Sequence, residues 1–203
     1  MAAKSKRISD GEMKKLSGKT WGEWFGELDK RGGVSQGRRE VGNYINTTYK
    51  IDPNVIAMIN VEYENEHGVV EKDGRPKGYM ICATKTVGGS VADAYALFAE
   101  AKGWNQWLTK GAKVAFEEGG AYSSGDGHKG EFKKIRENKA IKFTWEHAEQ
   151  VPGTVVEVTF QPKSEAKCVV MVAHDRIQTS SDADQMRETW GSALDRLKAK
   201  IEA

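Results

Sequence analysis

The sequence predicts an α+β protein in two parts, a small all-α N-terminal domain over residues 1–77 and, over 78–203, a curved antiparallel sheet wrapped on a long C-terminal helix. Three observations carry this prediction. From Ser180 to Ala203, Met186, Trp190, Ala193, Leu194, Leu197 and Ile201 recur at steps of three and four, an apolar stripe that has to lie on something, while Arg187, Glu188, Asp195, Lys198 and Lys200 mostly face away. Between Tyr79 and Asp175 a succession of short alternating runs, broken by Gly, Pro and Asn, supplies the sheet. The polar, turn-rich stretch from Gly68 to Gly78, with Glu71, Lys72, Asp73, Gly74, Arg75, Pro76 and Lys77, is the best boundary between the two parts.

Composition bounds the possible functions. A chain of 203 residues with 38% hydrophobic content is ample for a packed core. Its net charge is only +2, from 14 basic and 12 acidic residues before position 78 and 17 of each after it, so the clustered cationic excess that phosphate binding requires is missing and nucleic acid is not favoured. The basic opening, Lys4, Lys6 and Arg7, reads as a frayed tail. No run approaches the ~18 apolar residues of a membrane helix, and no apolar segment follows Met1 as a signal peptide requires, so no membrane insertion and a cytoplasmic location are expected. Cys82 and Cys168 then read as reduced thiols packed as small apolar groups.

In the N-terminal part, Thr20 with Glu23 has capping-box spacing, and Trp21, Trp24, Phe25 and Leu28 share one helical face before Gly32 and Gly33 stop it. Val41, Tyr44, Ile45 and Thr48 carry the stripe of a second helix. A third starts at Asp52 with Pro53 in its first turn, where the missing N–H costs nothing, and buries Val55, Ile56, Ile59 and Tyr63. Three short helices invite a DNA-reading interpretation, but Glu62, Glu64 and Glu66 are expected to make the exposed side of the third acidic and repel phosphate. Gly18, Lys19 and Thr20 imitate the end of a P-loop, yet Met13 stands where its first glycine belongs and no strand leads in. Asn46, Thr47 and Thr48 spell a glycosylation sequon, without meaning in a protein that is not secreted.

In the C-terminal part, Tyr79–Val87 is a β-rich run, Gly88 and Gly89 break it, and Ser90 with Asp93 caps a helix carrying Val91, Tyr95 and Phe98. A second short helix holds Trp104 and Trp107. Strands are then expected at 112–117, 121–124, 128–136, 140–147, 154–161 and 167–176, separated by turns at Gly119–Gly120, Gly125–Gly127, Asn138–Lys139, Pro152–Gly153 and Lys163–Ala166. Ile141, Phe143 and Trp145 alternate with Lys142, Thr144 and Glu146, and Val156, Val158 and Phe160 with Glu157 and Thr159, so each strand has one apolar face. The run Cys168–Ala173 is continuously apolar and leaves open which set points at the helix.

The span from Ser90 through Trp104, Trp107, the Ile141-Lys142-Phe143-Thr144-Trp145 strand, the strand ending at His174 and the Trp190-Gly191-x-x-Leu194 helix resembles the START-like, birch-pollen-allergen-like helix-grip superfamily. Within it, the nearest resemblance is to the branch named after the activator of the heat-shock chaperone ATPase. The preceding piece is similar to a helical domain often fused to this fold in bacteria. The resemblance implies a cavity between sheet and terminal helix, closed at one end by the two short helices. Carried onto this chain, its walls are Phe98, Trp104, Trp107, Phe132, Phe143, Trp145, Val158, Met171, Trp190 and Leu194. Plain core is the competing reading, because any helix laid on a sheet buries such side chains, each by about 1.5–3 kcal/mol, with or without a ligand.

Catalytic constellations are thin. His67, His128, His147 and His174 lie in separate elements, without zinc-site spacing, so no metal and no cofactor is expected. The resemblance puts His174 near the pocket mouth, where a proton affinity near neutral pH would suit an acid or base, with Asp175 or Glu157 beside it. Three functions follow: a non-enzymatic binder of a small hydrophobic or amphipathic ligand, a cyclase- or hydrolase-like enzyme using His174, and a chaperone-regulating or other protein-binding module. The stimulating N-terminal domain of the true chaperone activators, with its Asn- and Trp-rich motif, has no counterpart in this sequence, which puts that activity in doubt.

Overall fold

Ser9 and Thr20 each open a helix by the same device. The side chain accepts the backbone N–H of the residue three on, Glu12 or Glu23, whose carboxylate reaches back to the cap. In the computed structural model, which describes residues 7–150 and 153–203, these caps start α1 (Asp10–Ser17) and α2 (Trp21–Lys30). Lys4 and Lys6 of the expected tail and Pro152 of the expected turn lie outside the described residues. The chain divides into two compact units, one reaching to Tyr79 with Gln178–Ser180, the other Met80–Ile177 with Ser181–Ala203.

The first unit continues with a 3-10 turn (Gly33–Gln36), α3 (Arg38–Tyr49) and α4 (Pro53–Glu66), the last capped by Asp52 with Pro53 in its first turn. Met13, Trp21, Trp24 and Leu28 meet Val41, Ile45, Val55, Ile56, Ile59 and Tyr63 in one apolar core. Two expectations are corrected here. Arg7 is no frayed tail: its guanidinium binds Glu62 at 2.9 Å, reaches Glu66 and lies over the Phe25 ring. Of the acidic side of α4 only Glu66 is exposed as expected, since Glu62 and Glu64 are buried and Glu64 is held by Arg38 and Lys77. Buried carboxylates persist because each meets a cation. Helix α1 escaped the sequence reading, although Ser9 and Glu12 announce it as clearly as Thr20 and Glu23 announce α2.

The second unit runs β1 (Tyr79–Val87), α5 (Val91–Ala99), α6 (Ala101–Trp107), β2 (Lys113–Val114), β3 (Ala121–Ser123), β4 (Lys129–Arg136), β5 (Ala140–Trp145), β6 (Thr154–Ser164), β7 (Lys167–Ile177) and α7 (Ser180–Ile201). The strands form one sheet in the order β1-β7-β6-β5-β4-β3-β2, antiparallel from β2 through β7. This is the helix-grip arrangement. The strand expected over 112–117 shrinks to two residues, because the chain turns back at Glu117, whose N–H donates to the Ala115 carbonyl.

Register settles the faces. Phe132, Phe143, Val156 and His174 are direct cross-strand partners in one row, and Ile141, Val158 and Val172 in the next. Directly paired residues share a side of the sheet, so both rows face α7, which buries Ala183, Met186, Trp190, Ala193, Leu194 and Leu197. At Gly130, paired with Tyr122, a Cβ would come within 2.0 Å of the Thr144 carbonyl and 2.6 Å of the Tyr122 ring, so only glycine lets that ring and the neighbouring strand approach this closely. Cys168 is buried as expected, but Cys82 is exposed, on the outward alternation of β1.

Candidate functional site

Nine of the ten expected wall residues converge on the inner side of the sheet. Phe98 ends α5, and Trp104 and Trp107 lie on α6; a Cβ on the intervening Gly103 would meet the Leu97 carbonyl at 2.4 Å, so the corner is close enough for both indoles to donate to α5, Trp104 to Phe98 O at 2.7 Å and Trp107 to Leu97 O at 3.2 Å. Phe132, Phe143, Trp145 and Val158 come from the sheet, Trp190 and Leu194 from α7. Met171 is the exception. It pairs with Thr159 on the opposite face of β7 from buried Val170, Val172 and His174, a choice the continuous apolar run could not reveal.

The rings fill the space between helix and sheet. Centroids lie 4.6 Å apart for Phe98 and Trp107, 4.8 Å for Trp104 and Tyr122, and 5.0 Å for Trp145 and Trp190, the separations of packed aromatic pairs. Phe132, Phe143, Val158, Trp190 and Leu194 are 0% exposed, whereas a side chain lining a void that admits water keeps accessible surface there. The expected open chamber is therefore replaced by packed core at these residues. Tyr122 and Phe160 belong to the layer but were missed; Tyr122 sits in a three-residue strand too short for its alternation to register.

One end of this layer is polar. Antiparallel pairing of Lys129 with Glu146 brings His128 beside His147, and pairing of β5, β6 and β7 adds His174: the ring of His128 lies 4.4 Å from Trp145 and 4.7 Å from His147, and Trp145 lies 6.2 Å from His174. Trp190 donates its indole N–H to His174 Nδ1 at 3.1 Å, so the neutral ring carries its proton on Nε2. Burial, reinforced by His128, pushes the His174 pKa down to about 3, which corrects the expectation of a group titrating near neutrality. Among the described residues, Nε2 of His174, Nε1 of Trp145 and Nε2 of His128 are buried without a hydrogen-bond partner. Nδ1 of His128 lies 3.1 Å from Asp126 Oδ1, without the direction of a good hydrogen bond. Burial would raise the Asp126 carboxyl, but the hydrogen bonds it accepts from the Ser124 hydroxyl and the His128 backbone N–H, with the His128 ring alongside, hold it at about 2.

No acid–base group assembles around His174 from the expected partners. Asp175 follows it in β7 and so points to the other side of the sheet, accepting the backbone N–H of Arg176 at 2.8 Å. Glu157 pairs with Lys142 and Ala173 on that same outer face, 3.9 Å from Arg136. Among the described residues no group of three His, Cys, Asp or Glu could hold a metal ion, and no helix is long and apolar enough to cross a membrane.

Comparison with known proteins agrees with this architecture. No curated protein sequence matches the chain. Among solved structures, CalU16 from Micromonospora echinospora superposes with a TM-score of 0.55 at 16% identity over 60% of this chain and 75% of its own. An HSP90 activator from Plasmodium falciparum gives 0.54 at 19% identity, covering 62% and 97%, and the Aha1 dimer from Colwellia psychrerythraea gives 0.53 at 20%, covering 61% and 96%. At such identities the likeness is one of fold. The family described as Activator of Hsp90 ATPase homolog 1-like protein matches residues 89–202, which takes in α5, α6, all of β2–β7 and α7, and the chain belongs to that family.

Proposed function

We propose that the chain works as a protein-interaction module of the chaperone-regulating kind, with the helix-grip domain as a rigid body that presents its outer surfaces to a partner. The observation that carries this reading is the packed interior: with Phe132, Phe143, Trp190 and Leu194 free of accessible surface, recognition is left to the exterior. The family's description and the HSP90 activator among the similar structures support an Hsp90-type chaperone as the first partner to test. The measurement is the ATPase rate of such a chaperone with increasing amounts of this chain, alongside direct binding. Saturable binding or stimulation is expected; a chaperone that neither binds nor responds overturns this partner.

The orphaned nitrogens support a second reading, a receptor for a small apolar molecule bearing a carbonyl or carboxylate. Two buried N–H donors, on His174 and Trp145, lack an acceptor among the described residues, and leaving such groups unpaired costs about 1–3 kcal/mol each. An oxygen reaching them requires the rings packed around Trp190 to part. Titration with aromatic acids, ketones and fatty acids, read through tryptophan fluorescence, should give a saturable change that Trp145→Phe weakens; no change across the panel removes this reading.

A further inference from the structure

The outer face of the sheet carries an arrangement that packing does not explain. Lys134 on β4 and Lys142 on β5 are direct cross-strand partners, both exposed, and neither has an ion pair among the described residues. Like charges directly opposite each other destabilise a strand pair; Glu157, the partner of Lys142 on β6, offsets this only in part, because it forms no ion pair with either lysine. Arg136 lies beside them, and among the described residues its only ion-pair partner is Glu157, at 3.9 Å. Neighbouring Lys133 is different, because it is matched to Glu131 at 2.8 Å. Lys134, Arg136, Lys142, Glu157 and Ala140 enclose a depression of about 180 Å³, roughly six waters in volume.

We infer that this depression docks an acidic segment of a partner protein, one carboxylate seated between Lys134 and Lys142. The inference rests on the reading of the chain as a protein-interaction module and names the surface that reading uses. Three cations around one carboxylate leave an excess of two positive charges in a small area, enough to seat one or two acidic side chains. A nucleic-acid backbone, in contrast, needs an extended basic track, and Glu157 interrupts this one. Charge complementarity of this kind acts mainly on specificity and association rate and weakens with salt.

The test uses the full chain and a fluorescein-labelled peptide of Glu and Ser, with binding read by anisotropy at low and at high salt. Wild type should bind saturably at low salt and lose affinity as salt rises. The double variant Lys134→Glu, Lys142→Glu should bind at least tenfold more weakly, and Lys102→Glu, on α6, should bind as wild type. Lys134→Glu alone should lose binding yet melt at a higher temperature, because it places opposite charges across the strand pair, and this separates loss of the site from loss of the fold. Undiminished binding by the double variant, or tighter binding of a single-stranded oligonucleotide of equal charge, overturns the proposal. An Hsp90-type chaperone that answers wild type and double variant alike also overturns this site while leaving the module reading in place.

Discussion

The two units bury polar groups by opposite rules. In the helical unit each buried or half-buried charge is answered: Glu62 by Arg7, Glu64 by Arg38 and Lys77, and Glu27 by Lys19 with the hydroxyls of Tyr44 and Tyr49. Burial would raise the Glu27 carboxyl, but those three partners hold it at about 2. In the helix-grip unit the buried polar groups are neutral and several go unanswered; the orphaned side-chain atoms among the described residues, on His128, Trp145, Thr159 and His174, all belong to it. Native folds leave few such atoms. Their concentration in one unit means that this unit carries an unspent capacity for hydrogen bonding, while the other has used its capacity to fix four short helices.

The sharpest way to break the contrast is to empty the aromatic layer. Trp190→Ala removes a fully buried ring that touches Trp145 and bonds His174, and should destabilise the grip unit by about 3–5 kcal/mol in calorimetric unfolding. A loss below about 1 kcal/mol would mean that the layer is looser than its ring separations imply. In the helical unit, Arg38→Met strips Glu64 of its nearer cation and leaves a buried carboxylate only partly matched, with an expected cost of roughly 3 kcal/mol.

Acid should separate the units by pH. His174 is neutral in the fold down to about 3 and titrates near 6.5 once unfolded, so between those values the unfolded state binds the extra proton and stability falls as pH falls, by about 1.4 kcal/mol per unit. The depressed Glu27 contributes in the other window. Its stabilisation is fully present above its unfolded value of about 4.5 and is lost as pH drops toward 2. Denaturant titrations from pH 6.5 to 4.5 should therefore show about 2–3 kcal/mol lost in wild type and a flatter profile in His174→Leu; an unchanged slope would place the acid sensitivity elsewhere. The smallest expected effect tests the orphans themselves. Thr159→Val replaces an unpartnered buried hydroxyl with a methyl of the same shape and should be neutral or stabilise by up to about 1 kcal/mol, whereas Thr154→Val, which removes a bond to the Trp145 carbonyl, should cost about 1 kcal/mol.

Much of the fold was legible from local signals. The capping pairs Thr20–Glu23 and Ser90–Asp93, Pro53 in the first turn of α4 and the strand turns at Asn138 and Gly119 each encode a backbone geometry within four or five residues, and each stands where it was expected. The faces of β5 and β6 were equally legible from alternation, and the stripe on α7 from its period. The candidate site was legible only in part: its rings were named, but Met171 fell on the wrong side because a strand apolar on both faces has no alternation to read.

What the sequence by itself determined is therefore the set of elements, their order and the inward side of most of them, because helix caps, turns and periodicity act over short distances along the chain. Only the tertiary structure decided that the rings close on one another rather than around a space, that His128, Trp145 and His174 meet with nitrogens left over, and that Lys134 stands opposite Lys142. Those outcomes depend on strand register and on distances between side chains far apart in the chain, where a shift of one residue would turn every side chain to the other face.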